Sequence, residues 1–596
     1  MRIKLIALIL LLCITTGMLL ACGETPDPTP DPTPDSGDNT PTPDKGDDDN
    51  EDESEGDAPT VDEVPAYEWD ETSLIFQMTD NSNKAQRPSV CRRYLAGEDT
   101  GTFETIDDMV TERNAEALEY TATSIIYDYL PDTAEHAWGK NVELIFTTVN
   151  SQSKDRPDMF VNFCFDMISA SLKGALANLW STERGTGPLY GANYFTFADV
   201  KTGNYVDTGV GYMYQYMRSL TLSKHKMYCV ASDYFIDLVR AFMAVPVNLE
   251  LLNSIEMSPE EGVYNSDRDG DGDFDVDDFY QLIRDKDWTY STLADFSNAI
   301  YADEGDSSLS GTGTNLADIH DRVGFAISIS SGLPAVGMLY TTSLTIIHRD
   351  WSDVTNDYTY YYPESNPQLY DFCDKLNTLF SSTGVITLTD GQSGGYGSNA
   401  YEAVRNRFAQ NKVLFGGIIA LGSLEYGAYQ DMKEGSGFGV APVPLYKGAD
   451  PETGLVDDYL TQIDSSGMIG GISASTTKFA QCTAYLEYMS QNSTDILNEY
   501  SDYKLQYDVA DGTEGNIEIL QYIRANVRSA FDMVYEDVLG RFFGTVDPDS
   551  ASYRWHAMLM ANQFKVTTME TEYERLYATK EQYLQSLVRE YDVLPN

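Results

Sequence analysis

Histidine is scarce in this chain, with 5 in 596 residues. His136, His225, His320, His348 and His556 are scattered, and no two stand at a metal-binding spacing such as His-x-x-x-His. Cysteine is also rare, with 7. Setting aside Cys13 and Cys22 near the amino terminus, Cys91, Cys164, Cys229, Cys373 and Cys482 form an odd set without short paired spacings. That argues against a disulfide frame or a zinc site and leaves small, buried apolar residues. Basic charge is in short supply, 39 Lys and Arg against 94 Asp and Glu, for a net charge of −55. Nucleic acid and anionic lipid surfaces are therefore excluded as partners. Beyond the first twenty residues no apolar run reaches the roughly 18 needed to cross a bilayer.

What is present begins with Arg2 and Lys4, followed by an almost wholly apolar stretch from Leu5 to Leu20. A charged start and a short apolar run read as a secretory signal over residues 1–21. The run closes on Leu19-Leu20-Ala21-Cys22-Gly23, small residues before a cysteine, which resembles a bacterial lipobox. The resemblance implies cleavage before Cys22 and a lipid on its thiol, anchoring the protein to the outer face of a cell membrane, of Gram-positive type. An ordinary signal peptide cut elsewhere is the alternative. Residues 22–66 carry repeated Thr-Pro and Asp-Pro steps and acidic clusters such as Asp47-Asp48-Asp49. Proline stiffness and like-charge repulsion make this an extended tether with too little apolar surface to fold. A folded body starts near Tyr67 and Trp69, about 530 residues long, enough for two large lobes. With 12% aromatic residues, 41 of them tyrosine, a sizeable core is available.

The strongest chemical motif spans Asp267 to Asp278, reading Asp-Arg-Asp-Gly-Asp-Gly-Asp-Phe-Asp-Val-Asp-Asp. Calcium takes six to eight oxygens, and an EF-hand loop supplies them from alternating positions around a glycine at the sixth. Asp267, Asp269 and Asp271 stand at positions one, three and five, and Gly272 at the sixth. Asp273 would offer its carbonyl, Asp275 its carboxylate directly or through water, and Asp278 the last ligand. Phe274 is placed to pack inward. Phe279 to Arg284 reads as a short exiting helix, whereas Glu256 to Gly262 is a poor entering one. Calcium is the expected cofactor, with a structural role; a solvated acidic loop that holds nothing is the alternative.

Elsewhere short apolar segments alternate with helical patterns. Val142–Val149 reads as a strand, Ile168–Trp180 as a helix, Val413–Leu421 as a buried strand and Phe479–Met489 as a helix. The alternation indicates an α/β fold with largely parallel sheets.

The order of several segments resembles the family-1 extracellular solute-binding proteins of ABC importers, the class that includes maltose-binding protein. The similar segments are Glu104–Asn114 as the early helix and Arg156-Pro157-Asp158-Met159-Phe160 as the strand that leads to the ligand cleft. Lys226–Asp233 resembles the first crossing between lobes, and Asp287–Phe296 the tryptophan-threonine helix start. Phe438–Pro444 and then Gly467–Ala474 resemble the return crossing and the helix after it. The resemblance implies a two-lobed, periplasmic-binding-protein-like α/β fold of type II, with the ligand cleft between lobes. Lobe 1 is expected over 67–232 plus 472–520, and lobe 2 over 233–471 plus 521–596, including the calcium loop 267–278. Carried over residue by residue, the cleft positions are Asn162, Cys164 and Asp166, then Asp233 and Tyr234, then Gly422, Ser423, Glu425 and Tyr426. The implied function is a lipid-anchored, monomeric receptor delivering a carbohydrate or oligosaccharide to ABC permease subunits. A surface glycan-binding protein without a transporter, or a surface hydrolase, are the alternatives.

Gly391-Gln392-Ser393-Gly394-Gly395 matches the Gly-x-Ser-x-Gly nucleophile pattern. Its surroundings are a Gly/Ser loop, and only His556 follows it, so the acid-then-histidine order of such hydrolases has one candidate. The chain is expected not to be an enzyme.

Overall fold

The computed structural model describes residues 72–594, apart from short breaks and the stretches 80–89, 180–213, 305–318, 448–457, 506–513 and 543–565. Cys22, the signal, the tether, Tyr426 and His556 lie outside the described residues.

Twelve strands are described: β1 (Thr72–Thr79), β2 (Thr123–Leu130), β3 (Met159–Phe163), β4 (Met243–Asn248), β5 (Val323–Ser328) and β6 (His348–Ser352), then β7 (Asp357–Tyr361), β8 (Val385–Leu388), β9 (Val413–Phe415), β10 (Ile419–Ala420), β11 (Phe438–Ala441) and β12 (Met468–Ile472). One sheet runs β12-β3-β1-β2. The other runs β10-β4-β9-β5-β8, with β11 also paired to β4. A two-stranded hairpin, β6–β7, stands apart. β3, β4 and β5 are buried along their whole length, as expected of interior strands covered on both faces.

The two sheets share one plan. In the first, β1 lies between β2 and β3 and is parallel to both, and antiparallel β12 closes on β3. In the second, β5 lies between β8 and β9 and is parallel to both, and antiparallel β4 closes on β9. Each antiparallel strand reaches its sheet from the other side of the molecule: β4 follows the chain of the first sheet, and β12 follows that of the second. This exchange makes two lobes, and the α/β, two-lobed, type II fold expected from the sequence is the one observed.

The exchange also orients the sheets. Met468, the first residue of β12, pairs with Phe163, the last of β3. β4 runs against β9, with Val247 opposite Phe415, so the start of β4 lies beyond the carboxyl end of β9. Both crossings therefore meet the sheets at the carboxyl ends of their parallel strands. The crossings thus join the two sheets at those ends, the ends at which ligands of open α/β sheets bind.

Several local expectations are corrected. Val142–Val149 is a helix, burying Ile145 and Val149, one turn apart. The helix expected over Ile168–Trp180 is Cys164–Leu172, after which the chain extends, with Leu176 bridging Ser473. Val413–Leu421 is broken into β9 and β10. Pairing shifts from Phe415–Val247 to Ile419–Ala244, so four steps on one chain oppose three on the other. This is a bulge, and it turns on Gly417 at φ +79°, a conformation glycine adopts freely.

Lys226–Val230 stays in lobe 1, where Val230 bridges Gly470; the first crossing is the later segment through Asp237–Arg240 to Met243. Phe438–Ala441 is β11 within lobe 2, so only the second return segment, β12, crosses. β12 belongs to the first sheet, so residues 468–471 sit in lobe 1 and not lobe 2. The helix Glu514–Ala525 packs on β11 and on the helix Val276–Arg284, which places 514–520 with lobe 2.

Candidate functional site

The loop between β2 and the helix Val142–Val149 leaves the carboxyl edge of the first sheet. It is tied to the helix that follows β3. Asp166, fully buried, accepts the backbone N–H of Gly139 at 2.7 Å and of Asn141 at 2.9 Å. Asn162 in β3 accepts from the Asn141 side-chain amide at 3.0 Å and from the N–H of Phe163 at 2.9 Å. Asn141 in turn donates to the carbonyl of His136 at 3.0 Å. Both sequence-derived residues are thus turned inward, and what they hold in place is the loop carrying His136, Trp138 and Lys140. Trp138 is half-buried, with its ring centroid 4.9 Å from that of Phe165. An indole fixed on a rigid edge in this way offers the flat, low-entropy surface used in recognition.

Cys164 is buried, its Sγ 3.7 Å from the Tyr216 hydroxyl. Asp233 is fully buried and accepts from Thr494 at 2.8 Å. Tyr234 is also fully buried, with the Arg113 guanidinium 4.9 Å from its ring centre. Burial, then the neighbouring Tyr127, raises its pKa. These three lie inside lobe 1.

On the lobe 2 side, β10 runs into a 3-10 turn, Leu421–Glu425. Gly422 is packed so closely on the crossing that an added Cβ would lie 3.1 Å from that of Arg240. Ser423 is partly buried. Glu425 accepts from the Arg240 guanidinium and, at 2.7 Å, from the Tyr500 hydroxyl. Arg240 is 3% exposed, and its Nε lies 3.5 Å from Asp237. Asp237 accepts the N–H of Met468 at 3.2 Å, fastening one crossing to the other. Burial works against the charged guanidinium, but Tyr500, Glu425 and Asp237 outweigh it and raise its pKa. Sequence reasoning missed Arg240 and Trp138. A signal for the first was present: one arginine within the apolar run Leu238-Val239-Arg240-Ala241-Phe242-Met243.

The acidic loop is held in shape by its own side chains accepting from its backbone. Asp267 Oδ2 accepts the N–H of Gly272 at 3.1 Å, Asp269 that of Asp271 at 3.1 Å, and Asp271 that of Asp273 at 3.1 Å. Gly272 has φ +100°, which favours glycine. Asp275 caps the exiting helix, Val276–Arg284, by accepting from Asp277 at 2.8 Å. Asp278 is fully buried and accepts from the N–H groups of Arg268, Asp269 and Asp275. Carboxylates of Asp267, Asp269 and Asp271 lie within 4.8 Å of one another, as do those of Asp271, Asp273 and Asp275, and those of Asp269, Asp275 and Asp277. The Asp271 N–H lowers the pKa of Asp269, but desolvation and the charges of Asp271, Asp278 and Asp275 outweigh it, and the net shift is upward. Asp273 is raised through hydrogen bonding to, and the charge of, Asp271. Crowded carboxylates of this kind are relieved by a cation. The oxygen-only donors fit calcium.

This loop is fixed to the lobe 2 core. Phe274 is buried with its ring 5.9 Å from Phe296, and Phe279 contacts Trp288 at 5.2 Å and Phe415 of β9 at 5.9 Å. Thr289 caps the helix Tyr290–Ile300 by accepting from Thr292. The Gly-x-Ser-x-Gly segment forms a 3-10 turn, Asp390–Gln392, after β8, instead of a direct strand-to-helix elbow.

No protein-family model and no curated protein matches the chain. Among solved structures, it is similar to the GacH receptor of Streptomyces glaucescens, at 14% identity over 87% of this chain and 98% of that one, with a TM-score of 0.43. The maltose/maltodextrin-binding domain MalE of Bdellovibrio bacteriovorus is 11% identical, over 86% and 100%, TM-score 0.41. UgpB of Mycobacterium tuberculosis is 11% identical, over 81% and 96%, TM-score 0.43. The fold assignment rests on the strand order and crossings above.

Proposed function

We propose that this protein is a lipid-anchored extracellular receptor that takes a carbohydrate or oligosaccharide between its two lobes and delivers it to an ABC importer. The observation that carries this reading is the strand exchange. It joins the sheets at the carboxyl ends of their parallel strands, one edge bearing Trp138 on a loop fixed by Asp166 and Asn162, the other bearing Ser423 and Glu425. Closure of two lobes on a ligand buries it from both sides. An aromatic face then stacks on a sugar ring while carboxylate and hydroxyl groups take its hydroxyls. Calcium, held by Asp267, Asp269, Asp271, Asp273, Asp275 and Asp278, would neutralise the loop and stiffen lobe 2. Its ligands are distant in sequence from the cleft residues, and Phe274 and Phe279 fix the loop to the lobe core, which supports a structural role.

The test is calorimetric titration of the full chain with glucose-, galactose- and mannose-based oligosaccharides, and with peptides and amino acids as controls. Binding by an oligosaccharide is expected, and Trp138→Ala should weaken it roughly ten- to thirty-fold, the range of an aromatic anchor, without lowering the melting temperature. Binding confined to peptides, or turnover of the sugar, would count against the proposal. For the anchor, the mature amino-terminal peptide should begin at Cys22 and carry acyl mass. A peptide starting elsewhere, or unmodified, would remove the lipid from the account.

A further inference from the structure

Among the described residues the lobes are joined by the crossing strands, by Arg524 of the helix Glu514–Ala525, which donates to Asn498 at 2.6 Å and Ser501 at 2.7 Å, and by a carboxyl-terminal helical layer. The long helix Val566–Asp592, about 40 Å at the usual rise per residue, begins on lobe 2. There Tyr573 donates to the Pro363 carbonyl at 2.8 Å, and the helix packs along Pro367–Phe380 and β7. It ends on lobe 1. The Lys226 ammonium donates to the carbonyls of Asp592 and Leu594 at 2.7 Å each and of Tyr591 at 3.3 Å. The Tyr591 hydroxyl returns a bond to the Lys226 carbonyl at 2.9 Å, and its ring meets Tyr228 edge-on at 5.5 Å. A lysine on the orphan carbonyls of a helix terminus is favourable through both hydrogen bonding and the helix dipole.

The preceding helix, Phe531–Phe542, makes the same span. Asp532 accepts the N–H of Ile346 at 2.9 Å on lobe 2, and the Tyr535 hydroxyl donates to the Leu220 carbonyl at 2.6 Å on lobe 1. A third link, Ser223 to Asp357 at 2.6 Å, ties lobe 1 to the β6–β7 hairpin.

The two ends of this layer are built differently. On lobe 2 the layer carries a fully buried ion pair, Lys580–Glu536 at 2.8 Å, with Tyr362 donating to the same glutamate. On lobe 1 a small apolar cavity lies between Tyr535 and Tyr591 on one side and Ile168, Met217 and Met227 on the other. A pocket at this contact forfeits packing there, leaving the lobe 1 end held mainly by hydrogen bonds to Lys226, Tyr591 and Tyr535.

We propose that the carboxyl-terminal helix pair is a latch across the lobes, fixed to lobe 2 and released at lobe 1 by undocking of Lys226 from the end of Val566–Asp592. Relative motion of the lobes about the crossings then requires that undocking. The idea does not depend on which solute is bound.

The test is pulsed electron–electron distance measurement on the full chain, without solute, with spin labels at Glu112→Cys on lobe 1 and Asp374→Cys on lobe 2, both exposed. Hydrogen exchange of 566–592 is followed in parallel. The parent is expected to show one narrow distance. Lys226→Met should raise the population of a second, distinct distance about ten-fold, the effect expected for loss of charge-assisted hydrogen bonds. Tyr591→Phe, which removes one hydroxyl, should do the same to a lesser degree, and it decides the matter if Lys226→Met fails to fold. In both, exchange should quicken at the carboxyl end of the helix. An unchanged distance distribution in a folded variant, or a parent that already samples two distances with the helix end protected, overturns the latch.

Discussion

Glu536→Ala should cost about 3–5 kcal/mol of stability, because it removes one side of a buried ion pair, 2.8 Å from a Lys580 ammonium whose side chain is 2% exposed, and breaking such a pair on one side is strongly destabilising. Glu536 is itself fully buried and accepts from both Lys580 and the Tyr362 hydroxyl. The substitution therefore also leaves a buried donor unpaired and opens a void. Exchanging both partners for apolar residues of similar volume is a different matter. A buried ion pair gains little over a well-packed apolar pair once the desolvation of both charges is counted. The double variant Glu536→Leu with Lys580→Met should thus recover most of the loss. Urea unfolding of the three proteins measures this. A single variant no less stable than the double one would mean that the pair is not buried as described.

Asp278→Ala should be the most damaging change in the acidic loop, and its effect should have two separable parts. Without metal, the carboxylate still terminates three backbone N–H groups from a fully buried position. Hydrogen bonds to charged groups contribute about 1.5–3 kcal/mol each in favourable cases, so a loss of about 3 kcal/mol or more is expected even in excess chelator. With calcium present at about a hundred times its dissociation constant, the parent should gain a further ~2.7 kcal/mol by mass action. Asp278→Ala should lose that gain as well. Asp271→Asn should behave otherwise, being exposed: near-normal stability in chelator, and little gain from calcium. Thermal melts of the three proteins with calcium and with chelator make the comparison. An identical parent melt in both conditions would remove calcium from the account and leave Asp278 as a helix and loop cap alone.

These cases show which features were readable before the fold was known. The conformation of the acidic loop was legible because each position in it has its own residue type at a fixed offset: oxygen at alternate positions, glycine at the left-handed turn, an apolar residue facing in. The α/β class and the two lobes were legible from alternating segments and their order. Position within a lobe was not. Val142–Val149 is rich in β-branched and aromatic residues, yet its two buried residues are one helical turn apart. Its start is fixed by Asp166, 25 positions away from Asn141, and a partner that distant overrides local preference. Asn162 and Asp166 were found as cleft residues by resemblance, but the Asp166 carboxylate takes backbone N–H groups of the loop and the Asn162 carboxamide takes the Asn141 side-chain amide, and the half-buried consequence is Trp138. Glu425 and Arg240, 185 positions apart, meet only because β10 and β4 pair, which no local pattern encodes. The carboxyl-terminal helices were assigned to lobe 2 by position in the chain, whereas their hydrogen bonds reach both lobes.

In the proposed function a carbohydrate is held between the carboxyl edges of the two sheets. Hydrogen–deuterium exchange of the full chain, with and without its tightest-binding oligosaccharide, tests it most directly. Simultaneous slowing of exchange is expected in the loop 131–141 of lobe 1 and in the turn Leu421–Glu425 of lobe 2. Protection of one lobe alone, or of surfaces away from both edges such as the β6–β7 hairpin, would contradict it.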